Sequence, residues 1–156
     1  MEKLHVDYTQ YHSLIDRVID QVRQSGFAPD LVLGISRGGL FLADGLSRAL
    51  KCPMAVVAAS SYMGPSGTVQ GGLQISASIA SVMPVQGRVL LVDDLADSGQ
   101  TLLQLQAHLV HAHPSISTLK TAVVWVKPAS VFRPDYAAEY LEKDLWIVQP
   151  FEVRDF

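Results

Sequence analysis

The residues best suited to chemistry fall in one run, Val89 to Thr101, reading Val-Leu-Leu-Val-Asp-Asp-Leu-Ala-Asp-Ser-Gly-Gln-Thr. An apolar stretch ends at Val92 and hands two carboxylates, Asp93 and Asp94, to its C-terminal end. In an open α/β sheet that is where ligands bind. Ala96, Asp97, Ser98, Gly99, Gln100 and Thr101 then form a tight turn into a helix. Backbone N–H groups and the helix dipole make such a turn an anion site, and Ser98 and Thr101 add hydroxyl donors. The result is a phosphate cradle beside an acid pair. It suits a sugar phosphate whose hydroxyls, or a magnesium ion, rest on the carboxylates. A turn that merely caps a helix would account for Asp97 or Ser98 alone, not for two acids, a glycine and two hydroxyls in this order.

Other positions are less decided by type. Ser36-Arg37-Gly38-Gly39 stands between an apolar run and a helical pattern. It reads equally as a plain βα turn and as a second anion loop, since glycines let backbone approach a charge closely. Lys127 ends an apolar run before Pro128 and, taken alone, reads as an exposed lysine closing a strand; Trp146-Ile147 reads as core. His108, His111 and His113 fall at a helix end without a carboxylate or cysteine beside them, so they are not assigned to a metal. Cys52 is the single cysteine. It admits no intrachain disulfide and reads as a small core residue.

The elements that must position these groups follow from periodicity. Tyr11, Leu14, Ile15, Val18, Ile19 and Val22 recur at helical spacing, predicting a helix from an N-cap at about Thr9 to a stop at Gly26. Strands are predicted at Asp30 to Ile35, Pro53 to Ala59, Arg88 to Val92, Leu119 to Val126 and Leu145 to Val148, and helices from Gly38 through Leu50 and from Leu102 to Val110. The strands are continuous apolar runs separated by helices, so the fold class is α/β. A single domain over residues 1–156 carries a parallel twisted sheet flanked by helices. Residues 60–87 hold four glycines before Gly87 and read as a long loop or extended hairpin leaving the sheet, of a kind that is usually functional.

Composition bounds the partners. A formal charge of −3 excludes a nucleic-acid binder working through a broad basic face. No apolar run reaches the length of a membrane span, and no signal-like core opens the chain, so the expected location is cytoplasmic.

The run Val89 to Thr101 resembles the phosphoribosyl pyrophosphate motif of type I phosphoribosyltransferases. Ser36-Arg37-Gly38-Gly39-Leu40, Ser60-Ser61-Tyr62, Lys127-Pro128-Ala129 and Trp146 to Glu152 resemble, in order, pieces of the bacterial xanthine-guanine and archaeal purine branch. The resemblance implies a type I phosphoribosyltransferase fold with a small C-terminal hood, and transfer of phosphoribosyl from phosphoribosyl pyrophosphate to a 6-oxopurine in purine salvage. Ser36, Arg37 and Gly38 would hold pyrophosphate, with a non-proline cis peptide at Ser36-Arg37. Asp93, Asp94 and Ala96 to Thr101 would hold the ribose phosphate, and Asp97 would handle the proton of the base. Lys127 would donate to the purine 6-oxo group, while Trp146 stacks on the ring and backbone carbonyls of the Trp146-Ile147 segment read its 2-position. Mg2+ would be the cofactor, on Asp93 and Asp94 with Glu152 near a second ion. A lid over about 61–86, a base-recognition hood over about 127–156, and a homodimer or homotetramer are further implications.

One departure stands out. Lids of this family usually carry basic groups, yet no Asp, Glu, Lys or Arg occurs between Cys52 and Gly87. A regulator or binding protein of the same fold with little turnover is therefore the alternative reading. An enzyme for adenine or uracil is disfavoured by Lys127 and Trp146-Ile147.

Overall fold

The structure, a computed structural model, describes residues 1–63, 69–76 and 78–155. In chain order the elements are β1 (Lys3–His5), α1 (Tyr8–Ser25), β2 (Leu31–Ser36), α2 (Leu40–Leu50), β3 (Met54–Met63) and β4 (Val69–Ile75). There follow β5 (Gly87–Val92), β6 (Leu95–Ala96), α3 (Gln100–Ala112), β7 (Ile116–Val126), β8 (Tyr136–Tyr140), β9 (Trp146–Val148) and a 3-10 helix, Pro150–Asp155.

Helix α1 buries the six residues that its periodicity selects. Its start differs from expectation: the N-cap is Asp7, not Thr9. Asp7 accepts the Gln10 N–H at 2.8 Å while Gln10 Oε1 accepts the Asp7 N–H at 2.9 Å. This reciprocal box satisfies two amides at once, which a cap at Thr9 would leave open. The helix stops at Gly26, whose φ of 76° is the left-handed conformation that glycine adopts without steric cost.

The main sheet runs β4-β3-β2-β5-β7-β6, with β8 paired to β7. All its pairings are parallel except that of β3 with β4. The parallel strands read as unbroken apolar runs because both faces are covered. Val32, Leu90, Val92, Ala122 and Val124 pack under α1 and α2. Leu31, Leu33, Ile35, Val89, Leu91 and Val123 pack under α3. Cys52 packs against the first of these layers. Burial, with Asp30 nearby, pushes its thiol up in pKa, which suits a core residue and not a nucleophile.

The charge-free segment is a hairpin at its base. β3 and β4 pair antiparallel, with Ala59 opposite Ile75 and Ser60 opposite Gln74. The tip of the expected lid, residues 64–68, and Ala77 lie outside the described residues. A second, two-stranded sheet joins the chain ends: β1 pairs parallel with β9, Lys3 opposite Trp146 and His5 opposite Val148. With the 3-10 helix it forms the hood.

Candidate active site

The strand order reverses at β2 and β5, which lie side by side and parallel, Leu33 opposite Leu91. Their C-terminal ends therefore open a crevice, and the loops leaving them line it. From β2 comes Ser36-Arg37-Gly38-Gly39, with the Ser36-Arg37 bond cis as the resemblance implies. From β5 come Asp93 and Asp94. The two loops touch. A Cβ on Gly38 would lie 2.5 Å from Asp94 Oδ2, and one on Gly39 would lie 2.5 Å from the Val92 carbonyl and 2.9 Å from that of Ile35. Both positions need a bare backbone because they pack against the acid pair and its strand. Arg37 stays exposed at the rim.

Beyond the acids, Leu95 and Ala96 add a short strand to the end of β7, and the Lys127 N–H donates to the Ala96 carbonyl at 2.9 Å. The Val131 N–H donates to Ser98 O at 2.9 Å. Gly99 has φ +83°, and a Cβ there would meet Phe132 N at 2.6 Å and Ser130 Oγ at 2.7 Å. So the turn is pinned from behind by residues 127–132, and only glycine fits at its apex. No side chain of Gly99 caps α3. Apart from the Gln100 N–H, which Ser98 Oγ accepts at 3.3 Å, the first-turn amides meet no side-chain cap. A cavity of about 70 Å³ lined by Asp93, Ala96, Asp97, Ser98, Gly99 and Thr101 sits there. It has room for a small anion but not for a base.

The two acids differ. Burial holds the Asp93 carboxyl well above the usual carboxylate range, and the neighbouring Asp94 charge adds to this. Asp93 Oδ1 accepts the Asp94 N–H at 2.9 Å. Asp94 Oδ2 accepts from Gln149 Nε2 at 2.6 Å. Glu152 does not stand free beside them: its carboxylate accepts the Gln149 N–H at 3.0 Å and Nε2 at 3.3 Å. No group of three or more His, Cys, Asp or Glu able to hold a metal occurs among the described residues. Two adjacent carboxylates fit magnesium, which is usually bound through one or two carboxylates plus substrate phosphates and water. Asp93 and Asp94 are the pair that would hold it.

On the opposite side of the cradle, Lys127 is 7% exposed. Its Nζ lies 3.2 Å from Asp144 Oδ1 and 3.7 Å from Asp97 Oδ1. Asp97 itself is open to solvent, with 68% of its side chain exposed. Two residues after Asp144, Trp146 is half exposed while Ile147 is buried, so the indole has surface to offer a ligand. On the hairpin side, a cavity of about 380 Å³ is lined by Ser36, Ser60, Gln74 and Ser76 and, among the described residues, by no charged group. A larger, mainly apolar cavity of about 570 Å³ lies under the hood against His5, Val6, Tyr8, Val148, Pro150 and Val153. It contains neither the acids nor the cradle and is not the site.

The structure thus brings Ser36, Arg37, Gly38, Asp93, Asp94, the cradle and Lys127 to one end of the sheet, with Trp146 on the adjoining hood. Sequence reasoning missed Asp144, Gln149 and the Ser130 to Phe132 support. Gln149 and Asp144 act through partners 55 and 17 residues away, which no local pattern reports.

Comparison with known proteins agrees with this geometry. Residues 7–155 match the family model described as the phosphoribosyl transferase domain. The xanthine-guanine phosphoribosyltransferase of Cereibacter sphaeroides is 31% identical over 155 residues, covering 96% of this chain and 86% of that protein. A purine phosphoribosyltransferase from Pyrococcus horikoshii superposes with a TM-score of 0.78 at 28% identity, over 97% of this chain and 95% of that one. The Helicobacter pylori xanthine-guanine-hypoxanthine phosphoribosyltransferase shares the fold, with a TM-score of 0.80 at 24% identity over 98% and 96% of the two chains. A match that spans the whole sheet, the cradle and the hood makes this chain a member of the phosphoribosyltransferase family.

Proposed function

We propose that the protein transfers the phosphoribosyl group of phosphoribosyl pyrophosphate to a 6-oxopurine, giving the nucleotide and pyrophosphate, as a step of purine salvage in the cytoplasm. The observation that carries this is the position of Lys127. A nearly buried ammonium is costly unless paired, and this one stands between Asp97 at the mouth of the phosphate cradle and Asp144 beside Trp146. It is a donor held where a base must meet the sugar.

In the reaction, a purine nitrogen forms a bond to C1 of the ribose as the bond from C1 to the pyrophosphate oxygen breaks. The proton displaced from the base passes to Asp97, whose carboxylate is open at the cradle mouth. The amides at the start of α3, with Ser98 and Thr101, hold the 5-phosphate. Asp93 and Asp94 orient the ribose hydroxyls. Arg37 and the Ser36 to Gly38 backbone meet the leaving pyrophosphate, and magnesium, when bound on the acid pair, offsets its charge. Lys127 donates to the 6-oxo oxygen and Trp146 stacks on the ring. Glu152 is left out of the metal set, because both its oxygens accept from Gln149, whereas Asp94 gives Gln149 only one.

A second reading, a binding protein with little turnover, draws support from the uncharged cavity of Ser36, Ser60, Gln74 and Ser76. An assay with phosphoribosyl pyrophosphate, magnesium and each of guanine, hypoxanthine, xanthine, adenine and uracil separates the two. Turnover of one or more 6-oxopurines with little of adenine or uracil is the expected result. Tight binding of phosphoribosyl pyrophosphate without nucleotide formation would favour the second reading instead.

A further inference from the structure

Gln149 has no role in the steps above, yet it is among the few buried polar residues, at 3% exposure. Its Nε2 donates to Asp94 Oδ2 at 2.6 Å and lies 3.3 Å from Glu152 Oε1. Its backbone N–H donates to the other Glu152 oxygen at 3.0 Å. The amide can point only one way, because its neighbours on that side are both carboxylates and only the NH2 end can donate to them. The other end is sacrificed: Gln149 Oε1 is buried with no partner among the described residues. A buried acceptor left unmade costs free energy, so the arrangement needs a compensating reason.

We propose that Gln149 is a positioning residue for Asp94, fixing the rotation of that carboxylate so that it presents to the ribose and its metal in one orientation. This rests on the transferase reading given above. Asp94 is held on two sides. The Gly38 backbone lies against its carboxylate so closely that a Cβ would overlap both oxygens, at 2.5 and 2.9 Å. The Gln149 amide grips Oδ2 from the hood. A lysine or arginine at 149 would hold Asp94 as firmly but would neutralise the charge that the site needs. A neutral amide orients the carboxylate and leaves its charge for the ligand. Glu152 in turn accepts from both the backbone N–H and the side-chain Nε2 of Gln149. The strand that reads the base does not depend on this contact, since β9 is held by β1 through Lys3 opposite Trp146 and the Val6 N–H donating to Val148 O at 3.0 Å. Loss of Gln149 therefore acts on the sugar side of the site and spares the purine side.

Gln149→Met keeps the volume and removes the donor. In the transfer assay its KM for phosphoribosyl pyrophosphate should rise about tenfold, the factor expected for one hydrogen bond to a charged group. The KM for the purine should stay within about threefold. Titration calorimetry with magnesium phosphoribosyl pyrophosphate should show the same loss without any turnover. That reading survives even if the wild-type protein proves not to transfer, so failure of the transferase reading and failure of this one are distinguishable. Glu152→Gln, at a half-buried surface position, is the second variant. It keeps Gln149 but frees its amide to turn away from Asp94, and should give a smaller loss in the same direction. An unchanged phosphoribosyl pyrophosphate affinity in folded Gln149→Met, or an equal loss for both substrates, would overturn the proposal. If Gln149→Met does not fold, an unchanged affinity in Glu152→Gln overturns it and a selective loss upholds it.

Discussion

At the scale of single residues, the proposed function assigns some groups of the site to the sugar phosphate and others to the base, and the two sets make different predictions. Asp97 is exposed at the cradle mouth, where a carboxylate can exchange a proton and a carboxamide cannot. Asp97→Asn should lower kcat by about 100-fold or more while the melting temperature is unchanged. Steady-state kinetics on the folded variant checks this, and an unaltered kcat would remove Asp97 from proton transfer. Lys127 is held by Asp97 and Asp144. Lys127→Ala should weaken 6-oxopurine binding roughly tenfold or more, the worth of a charge-assisted hydrogen bond, and leave phosphoribosyl pyrophosphate binding nearly unaltered. Calorimetry with each ligand tests it; equal losses would place Lys127 on phosphate. The acid pair and cradle were legible in the sequence because strand, acids, glycine and hydroxyls are contiguous from Val89 to Thr101. The burial of Lys127 was not. From local context it reads as an exposed strand end, and only Asp144, brought in by the hood, turns it into a paired interior cation.

At the scale of elements, the long buried pieces were legible and, β9 apart, the short ones were not. Periodicity selects the α1 face correctly, and the apolar runs give β2, β5 and β7 to within a few residues. Strands β1, β6 and β8 have no pattern of their own. Lys3–His5 is a strand only because β9 pairs with it, and Leu95–Ala96 only because it extends β7. Adjacent strands also need their far ends fixed if their site ends are to stay in register. Asp30, just before β2, accepts from the backbone N–H of Arg88 at 2.8 Å and from its guanidinium at 3.0 and 3.2 Å, at the start of β5. The Arg88 hydrogen bonds hold the Asp30 carboxyl below the usual range. A folded-state pKa depressed in this way contributes stability above the unfolded value near 3.9, and that contribution is lost as pH falls through the folded value. Asp30→Asn should therefore melt at a lower temperature than the parent at pH 7. The gap should close as pH is lowered below about 4, and narrow with added salt because the pair is exposed. Thermal unfolding followed across pH checks the sign; a gap that widened in acid would contradict it.

At the scale of the molecule, the order of strands is what makes one site from distant segments, and the sequence supplied only part of it. Alternating strands and helices dictate a parallel covered sheet, and an acid pair at a strand end dictates which end of the sheet binds. The placement of β2 beside β5, which lets Gly38 rest on Asp94, depends on long-range packing that no local run encodes. The same holds for the hood. Its strand β9 comes from the C-terminal part of the chain, but its only strand partner among the described residues is β1. The Trp146 N–H donates to Glu2 O at 2.8 Å and the Val6 N–H to Val148 O at 3.0 Å, so the first residues of the chain frame the segment that carries Trp146 and Ile147. The proposed recognition of a purine by stacking and backbone carbonyls would require that segment to be rigid, since a small displacement of an orienting group is expensive in affinity. In the proposed reading the sugar side is built from β2, β5 and α3, and neither strand pairs with β1. Deleting residues 1–5 should accordingly weaken purine binding by roughly tenfold, the effect of losing about 1.4 kcal/mol of orientation. Phosphoribosyl pyrophosphate binding should change little. Calorimetry with guanine and with magnesium phosphoribosyl pyrophosphate on the folded truncated protein separates the two. A parallel loss of both ligands would show that β1 supports the whole fold, and no loss of either would show that β9 holds its shape without it.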